Sequence, residues 1–168
     1  MTEQVKDNFT VDSQIFQILA WICFVSLLIN AGKGMSGMLG ALDMQTASFV
    51  ELFNGFWKAF LTHLPTFLLA WAVFDLAKFF GRCQEGEVFT LRNVKTLKLS
   101  AENLVWAAAV IVVIAPTVIS WIDRVSYGIA WDSNDLAYGI AAVGLALYGF
   151  ASVLSEAVKL KEDNDEMV

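Results

Sequence analysis

Four apolar stretches, at residues 14–31, 59–80, 103–122 and 136–158, alternate with polar or glycine-rich segments along the chain. A hydrocarbon core of roughly 30 Å takes about 20 helical residues to cross, so each stretch reads as a membrane-spanning helix. Asp12 or Ser13 can cap the first helix, and Gln14 and Asn30 fall at its two interfaces. Gly32, Gly34, Gly37 and Gly40 then crowd one short segment. Their entropic cost in any regular element predicts a loop there. A helix should restart at Ser48, because Ser48 and Glu51 have the spacing of a capping box. Phe49, Phe53, Phe56 and Phe60 recur at helical spacing, which makes the segment before the second span an outer helical extension. The pattern predicts an all-α integral membrane four-helix bundle, a single domain over 1–168. A connector over 81–99 joins the two helical hairpins, and an acidic tail covers 159–168.

Two details inside the spans change the picture. Pro65 and Pro116 are the only prolines, each in the outer third of a span, where each removes a backbone donor. Kinks are expected at both, with the carbonyls of Leu61 and Val112 freed, and the similar depth of the two breaks is compatible with a shared polar pocket or an outward splay. In the fourth span Gly139, Ala142, Ala146 and Gly149 fall on one face at three- and four-residue steps. Such a face lets backbones approach where lipid supplies no hydrophobic drive, and is expected to pack within the bundle, with another subunit as the alternative.

Composition agrees with a membrane class: 57% of residues are hydrophobic, 17% are charged, and mean hydropathy is +0.59. The net charge of −6 arises in part from the tail, where Glu156, Glu162, Asp163, Asp165 and Glu166 cluster. Acids contribute little to topology, and no nucleic-acid binding is inferred. Basic residues decide the orientation. Lys6, Lys78, Arg82, Arg92, Lys95, Lys98, Lys159 and Lys161 lie on one side, against Lys33, Lys58 and Arg124 on the other. The richer side is read as cytoplasmic and takes both termini.

Candidate chemistry is sparse. Asp75 lies inside the second span, where an unpaired charge is costly, so it should pair with Lys78 three residues on. With Glu102 and Glu156, these two residues are expected to form a polar cluster at the cytoplasmic mouth. His63 is the single histidine, which excludes a bis-histidine haem or multi-histidine metal site within one chain. A hydrogen bond to a neighbouring carbonyl or a lipid headgroup is expected for it. No serine, cysteine or threonine nucleophile has a general base and an orienting acid at evident spacing. The reading is therefore of a non-enzymatic protein with no cofactor.

The connector Glu87-Val88-Phe89-Thr90-Leu91-Arg92-Asn93-Val94-Lys95-Thr96-Leu97-Lys98 resembles the signature of the bacterial membrane family catalogued as domain of unknown function 2975. The ending Glu156 to Val168 is similar to that family's acidic tail. The resemblance implies a multi-pass protein of the bacterial inner membrane. Its association with small helix-turn-helix regulators implies a membrane-tethered regulatory role. The connector's own chemistry fits docking. Thr90 can cap a helix whose Leu91, Val94 and Leu97 form an apolar ridge, with Arg92, Lys95 and Lys98 on the other face for a partner or for anionic lipid. The leading expectation is a regulatory or sensory protein that engages a cytoplasmic partner through Thr90, Leu91, Arg92, Val94, Lys95 and Lys98. The alternatives are an accessory or scaffolding subunit of a larger membrane complex, a homo-oligomer included, and small-molecule or ion transport.

Overall fold

A computed structural model describes residues 3–42, 47–85 and 90–166, and all their regular structure is helical. Residues 1–2 and 43–46, residues 86–89 of the connector and the last two residues of the tail lie outside the described residues. Helix α1 (Glu3–Gly40) is followed by α2 (Phe49–Gln84) and α3 (Leu91–Ala109). A π-helical turn over Val110–Ile114 carries α3 into α4 (Ala115–Ile122), and α5 (Asp135–Glu166) completes the chain. Four segments are long and apolar enough to cross a membrane: Asp12–Gly40, Phe49–Gln84, Leu91–Ile122 and Asp135–Lys161. The chain is a multi-pass, four-helix membrane protein.

The helices pack in chain order. Helix α1 lies on α2, α2 on α3 and α4, and α3 on α5, which leaves α1 and α5 at the two edges of an open bundle. Three seams of different chemistry hold it. Between α1 and α2 the contacts are aromatic: Phe16 stacks on Phe80, and Trp21 and Phe24 both meet the Phe74 ring. Between α2 and the third span, Leu61 packs with Val110 and Ala115, supported by Leu64, Leu68 and Val118. Between the third span and α5, Ala108 and Val112 meet Ala137 at one end, and Val94 meets Leu154 and Val158 at the other. Gly144 lets the last pair close, since a Cβ there would sit 3.0 Å from the Ala101 carbonyl oxygen and the Leu104 Cβ.

The expected loop over 32–40 is helix. Helix α1 continues to Gly40, and at Gly34 the His63 ring of α2 occupies the place of a side chain, with a Cβ there falling 2.2 Å from His63 Cε1. Glycine's weak helix propensity, roughly 1 kcal/mol per residue against alanine, is overridden by interhelical packing and by the need to satisfy backbone groups inside a bilayer. The capping box is formed, with Ser48 accepting from the Glu51 N–H and the Glu51 carboxylate accepting from the Ser48 N–H at 2.7 Å. The extension expected before the second span is thus the first turns of α2 itself. Phe49 stacks on Phe53 and Phe56 on Phe60 along its exposed side.

Pro65 is buried inside α2, which runs on through it as α-helix. Pro116 has a larger consequence. The π-helical turn precedes it, and the Val112 carbonyl, which the proline cannot serve, accepts instead from the Asp132 N–H at 2.9 Å. Thr117 completes the fastening, donating to the Ala130 carbonyl at 3.0 Å and accepting from the Ala130 N–H at 3.1 Å. The loop after α4 is therefore tied back onto the helix that the proline interrupts. It leaves α4 through a Schellman turn, in which Val125 N–H reaches the Ser120 carbonyl and Arg124 takes a left-handed φ of 55°.

Candidate functional site

The polar side chains that face one another across helices gather where α2 ends and α3 begins. Thr90 caps α3, its hydroxyl accepting from the Asn93 N–H at 3.3 Å. The cap fixes the phase of the helix, and that phase turns Asn93, Thr96 and Ser100 inward toward α2, all of them buried. Ser100 donates to the Ala72 carbonyl at 2.9 Å. Arg82 donates to Thr96 Oγ1 at 2.7 Å, with Asn93 Oδ1 at 3.5 Å, and Asn93 Nδ2 lies 3.8 Å from Cys83 Sγ. These contacts form a polar ladder along the α2–α3 seam. Inside a membrane such groups must find partners in the protein, so the ladder fixes the register of the two central helices.

Asp75 sits on the same side of α2 and is 5% exposed. Its Oδ1 is 4.0 Å from Lys78 Nζ, the limit of an ion pair, and its Oδ2 is buried without a hydrogen-bond partner among the described residues. Lys78 in turn lies over the Phe74 ring, 3.9 Å from its centroid. The rest of the expected cluster does not assemble. Glu156 is exposed and pairs with Lys159 at 2.9 Å, while Glu102 is exposed beside Trp106 and Tyr148 on the α3–α5 side. Their helical phase carries both carboxylates away from α2.

The connector residues divide. Leu91, Arg92 and Lys95 are exposed, and Lys98 lies near the Tyr148 ring. Val94 and Leu97 are 4% and 2% exposed, Val94 against Leu154 and Val158 of α5, so the ridge expected to receive a partner is spent inside the bundle. The small-residue face of α5 is also displaced from its default assignment. Gly139, Ala142, Ala146 and Gly149 are all exposed, and nothing lies within 4 Å of a Cβ placed at Gly139 or Gly149. The face that packs carries Ala137, Gly144, Ala151, Leu154 and Val158. At about 100° per residue the two faces stand on opposite sides of the helix.

Pro65 and Pro116 do come together, lining one cleft of about 500 Å³ with Leu61, Ile111, Trp131 and Asp132. Asp75 is not among its walls. Beyond it, at the end of the bundle away from the connector, Lys58 pairs with Asp123 and joins α2 to the end of α4. His63 packs on Gly34, and its Nε2 is buried without a hydrogen-bond partner among the described residues, so the expected bond to a carbonyl is not made there. No group of three or more His, Cys, Asp or Glu among the described residues could hold a metal ion.

Sequence reasoning passed over Asn93, Thr96 and Ser100, although their three- and four-residue spacing was a readable polar stripe. It also passed over Gln17, whose Oε1 accepts from Gln84 Nε2 at 2.7 Å and ties α1 to the same end of the bundle. A family model described as protein of unknown function (DUF2975) matches residues 15–168. No curated protein and no solved structure matches the chain.

Proposed function

The chain belongs to the DUF2975 family, and from that premise we propose that it is a non-enzymatic protein of the bacterial inner membrane that works by lateral association, as an accessory or regulatory subunit of a membrane assembly. The observation that carries this reading is the outward small-residue face of α5. Gly139, Ala142, Ala146 and Gly149 are exposed on an edge helix, and close backbone approach is the chief advantage such a face offers inside lipid. A photo-crosslinking residue at Ala146 should capture a membrane protein or a second copy of this chain, whereas one at the exposed Ile22 of α1 should capture lipid. Lipid adducts alone at both positions would remove the reading.

A second reading keeps the cytoplasmic regulator, a helix-turn-helix protein included. The exposed Leu91, Arg92 and Lys95 at the start of α3 support it, although without Val94 the docking surface is smaller. Transport has less support, because the proline cleft and Asp75 are separate places. Both termini are assigned to the cytoplasm on the excess of Lys and Arg at that end. In a chain freed of Cys23 and Cys83, single cysteines at Ser36 and Ser133 should label from outside, and those at Lys95 and Asn164 only after permeabilisation.

A further inference from the structure

At the mouth between α1, α2 and α3 lies a cavity of about 410 Å³, whose walls include Gln17, Lys78, Arg82 and Arg92. Three cations face it against a single acid, Glu85. Their pairing is incomplete. Lys78 has Asp75 only at 4.0 Å, Arg82 spends its bonds on neutral Thr96 and Asn93, and Arg92 makes no ion pair among the described residues. The cavity is also shaped by backbone. Gly81 borders it, and a Cβ there would fall 2.7 Å from Gln17 Nε2, so the glycine lets the Gln17–Gln84 bridge close one wall.

Trp21 is another wall, 41% exposed, and it meets Phe74, over which Lys78 lies. Phe24 continues the aromatic surface along the first span. The cavity is thus cationic at its rim and bordered by aromatic surface toward the span, at the end of three helices that cross the membrane. We propose that it is a binding site for the headgroup of an anionic phospholipid. The phosphate is held by Lys78, Arg82 and Arg92, and an acyl chain runs down past Trp21 along the α1–α2 groove. Basic pockets between membrane helices hold anionic headgroups because the phosphate meets fixed cations while the chains stay in hydrocarbon. The aromatic wall argues for a lipid over a free phosphate, which has no use for it.

The test is native mass spectrometry of the full chain released from mixed micelles containing phosphatidylglycerol or phosphatidylcholine, with inorganic phosphate added in a third arm. Phosphatidylglycerol should be retained selectively, and inorganic phosphate should not displace it. Lys78→Gln and Arg92→Gln should each reduce retention about fivefold, the scale of one cation at an anionic membrane surface. Arg92 is exposed and makes no ion pair among the described residues, so Arg92→Gln leaves the fold intact and decides the test if loss of the Asp75 partner disturbs Lys78→Gln. Lys95→Gln and Lys161→Gln, which remove exposed cations outside the cavity, should leave retention unchanged. Equal retention of the two lipids, equal loss in the control variants, or displacement by phosphate would each overturn the proposal.

Discussion

Replacing Gly144 by alanine adds a single methyl group where α5 lies close against α3. The new Cβ would stand 3.0 Å from the Ala101 carbonyl oxygen, the Leu104 Cβ and the Val105 Cγ2. Ordinary carbon contacts lie at about 3.5–4.0 Å, and two of these three atoms belong to backbone or to the root of a side chain, so the helices must separate by several tenths of an ångström. Overpacking of this kind costs about 1–3 kcal/mol, while alanine's better helix propensity returns up to about 1 kcal/mol. The second term can be cancelled. Gly149→Ala sits on the same helix with nothing within 4 Å of its Cβ, and it carries the propensity gain without the clash. The gap between the two variants is then the overpacking alone, about 1–3 kcal/mol. Equilibrium unfolding of the monomer by dodecyl sulfate titrated into dodecyl maltoside micelles reads that gap directly. Coincident transitions for the two variants, or a Gly144→Ala protein more stable than Gly149→Ala, would refute the α3–α5 seam.

Val94→Asp places a charge against Leu154 and Val158, and should lower stability by about 3 kcal/mol or more, whereas Leu91→Asp, at a half-exposed position, should change it by less than about 0.5 kcal/mol in the same titration. Thr117→Val keeps the shape of the side chain but deletes both bonds to Ala130, roughly 1–3 kcal/mol together. Faster limited proteolysis of the loop after α4 should report that loss, and unchanged cleavage would show that the loop is not held there. Arg124→Gly relieves a left-handed backbone that costs an ordinary residue about 1–2 kcal/mol, and a higher unfolding midpoint is expected after glycine's added unfolded-state freedom is subtracted.

The parts of the fold that were legible in the sequence are those governed by one-dimensional quantities. Runs of apolar residues long enough to cross a bilayer identified four spans, and local caps at Ser48 and Thr90 identified two helix starts within the chain. The freed carbonyl of Val112 was legible too, because a proline's missing donor is a property of spacing; its new partner, Asp132, was not, because a loop's return path depends on the whole fold. The glycines of α1 misled for a related reason. Propensity treats Gly34 as a breaker, yet in a pair of packed helices the absent side chain is what admits His63.

Phase was the harder quantity. Helix α5 has small residues on both sides, with Ala137, Gly144 and Ala151 on one and Gly139, Ala142, Ala146 and Gly149 on the other. Either set satisfies the rule for close packing, and only the partner helix chooses between them. In α3 the apolar ridge of Leu91, Val94 and Leu97 and the polar stripe of Asn93, Thr96 and Ser100 lie side by side. Leu91 stays outside, Val94 faces α5, Leu97 is buried, and the polar stripe faces α2. A helix between two neighbours has two inner faces, so an amphipathic reading that assigns one face inward and the other to solvent fails there.

That double demand explains why the polar groups lie where they do. An edge helix such as α1 or α5 can be largely apolar all round, because lipid tolerates whatever its neighbour does not cover, and, apart from the Gln17–Gln84 bond of α1, dispersion then does most to fix its register. The central pair has no such freedom. Helix α2 is held by α1 on one side and by the third span on another, and a slip of α2 against the third span would carry Ser100 away from the Ala72 carbonyl and Arg82 away from Thr96. Each broken bond would strand a polar group where no water reaches it, a loss larger than the net worth of the bond itself. The ladder therefore sets one register for α2 and α3, and the aromatic and small-residue seams place α1 and α5 against a pair already fixed. Asp75, buried on this ladder with one oxygen unpartnered, is with His63 of the same helix one of two buried side chains among the described residues that the packing does not satisfy. Lys78 and Arg82, the nearest cations along α2, both face the cavity assigned to the anionic headgroup, so the charge of that cavity and the charge on Asp75 act on the same two side chains.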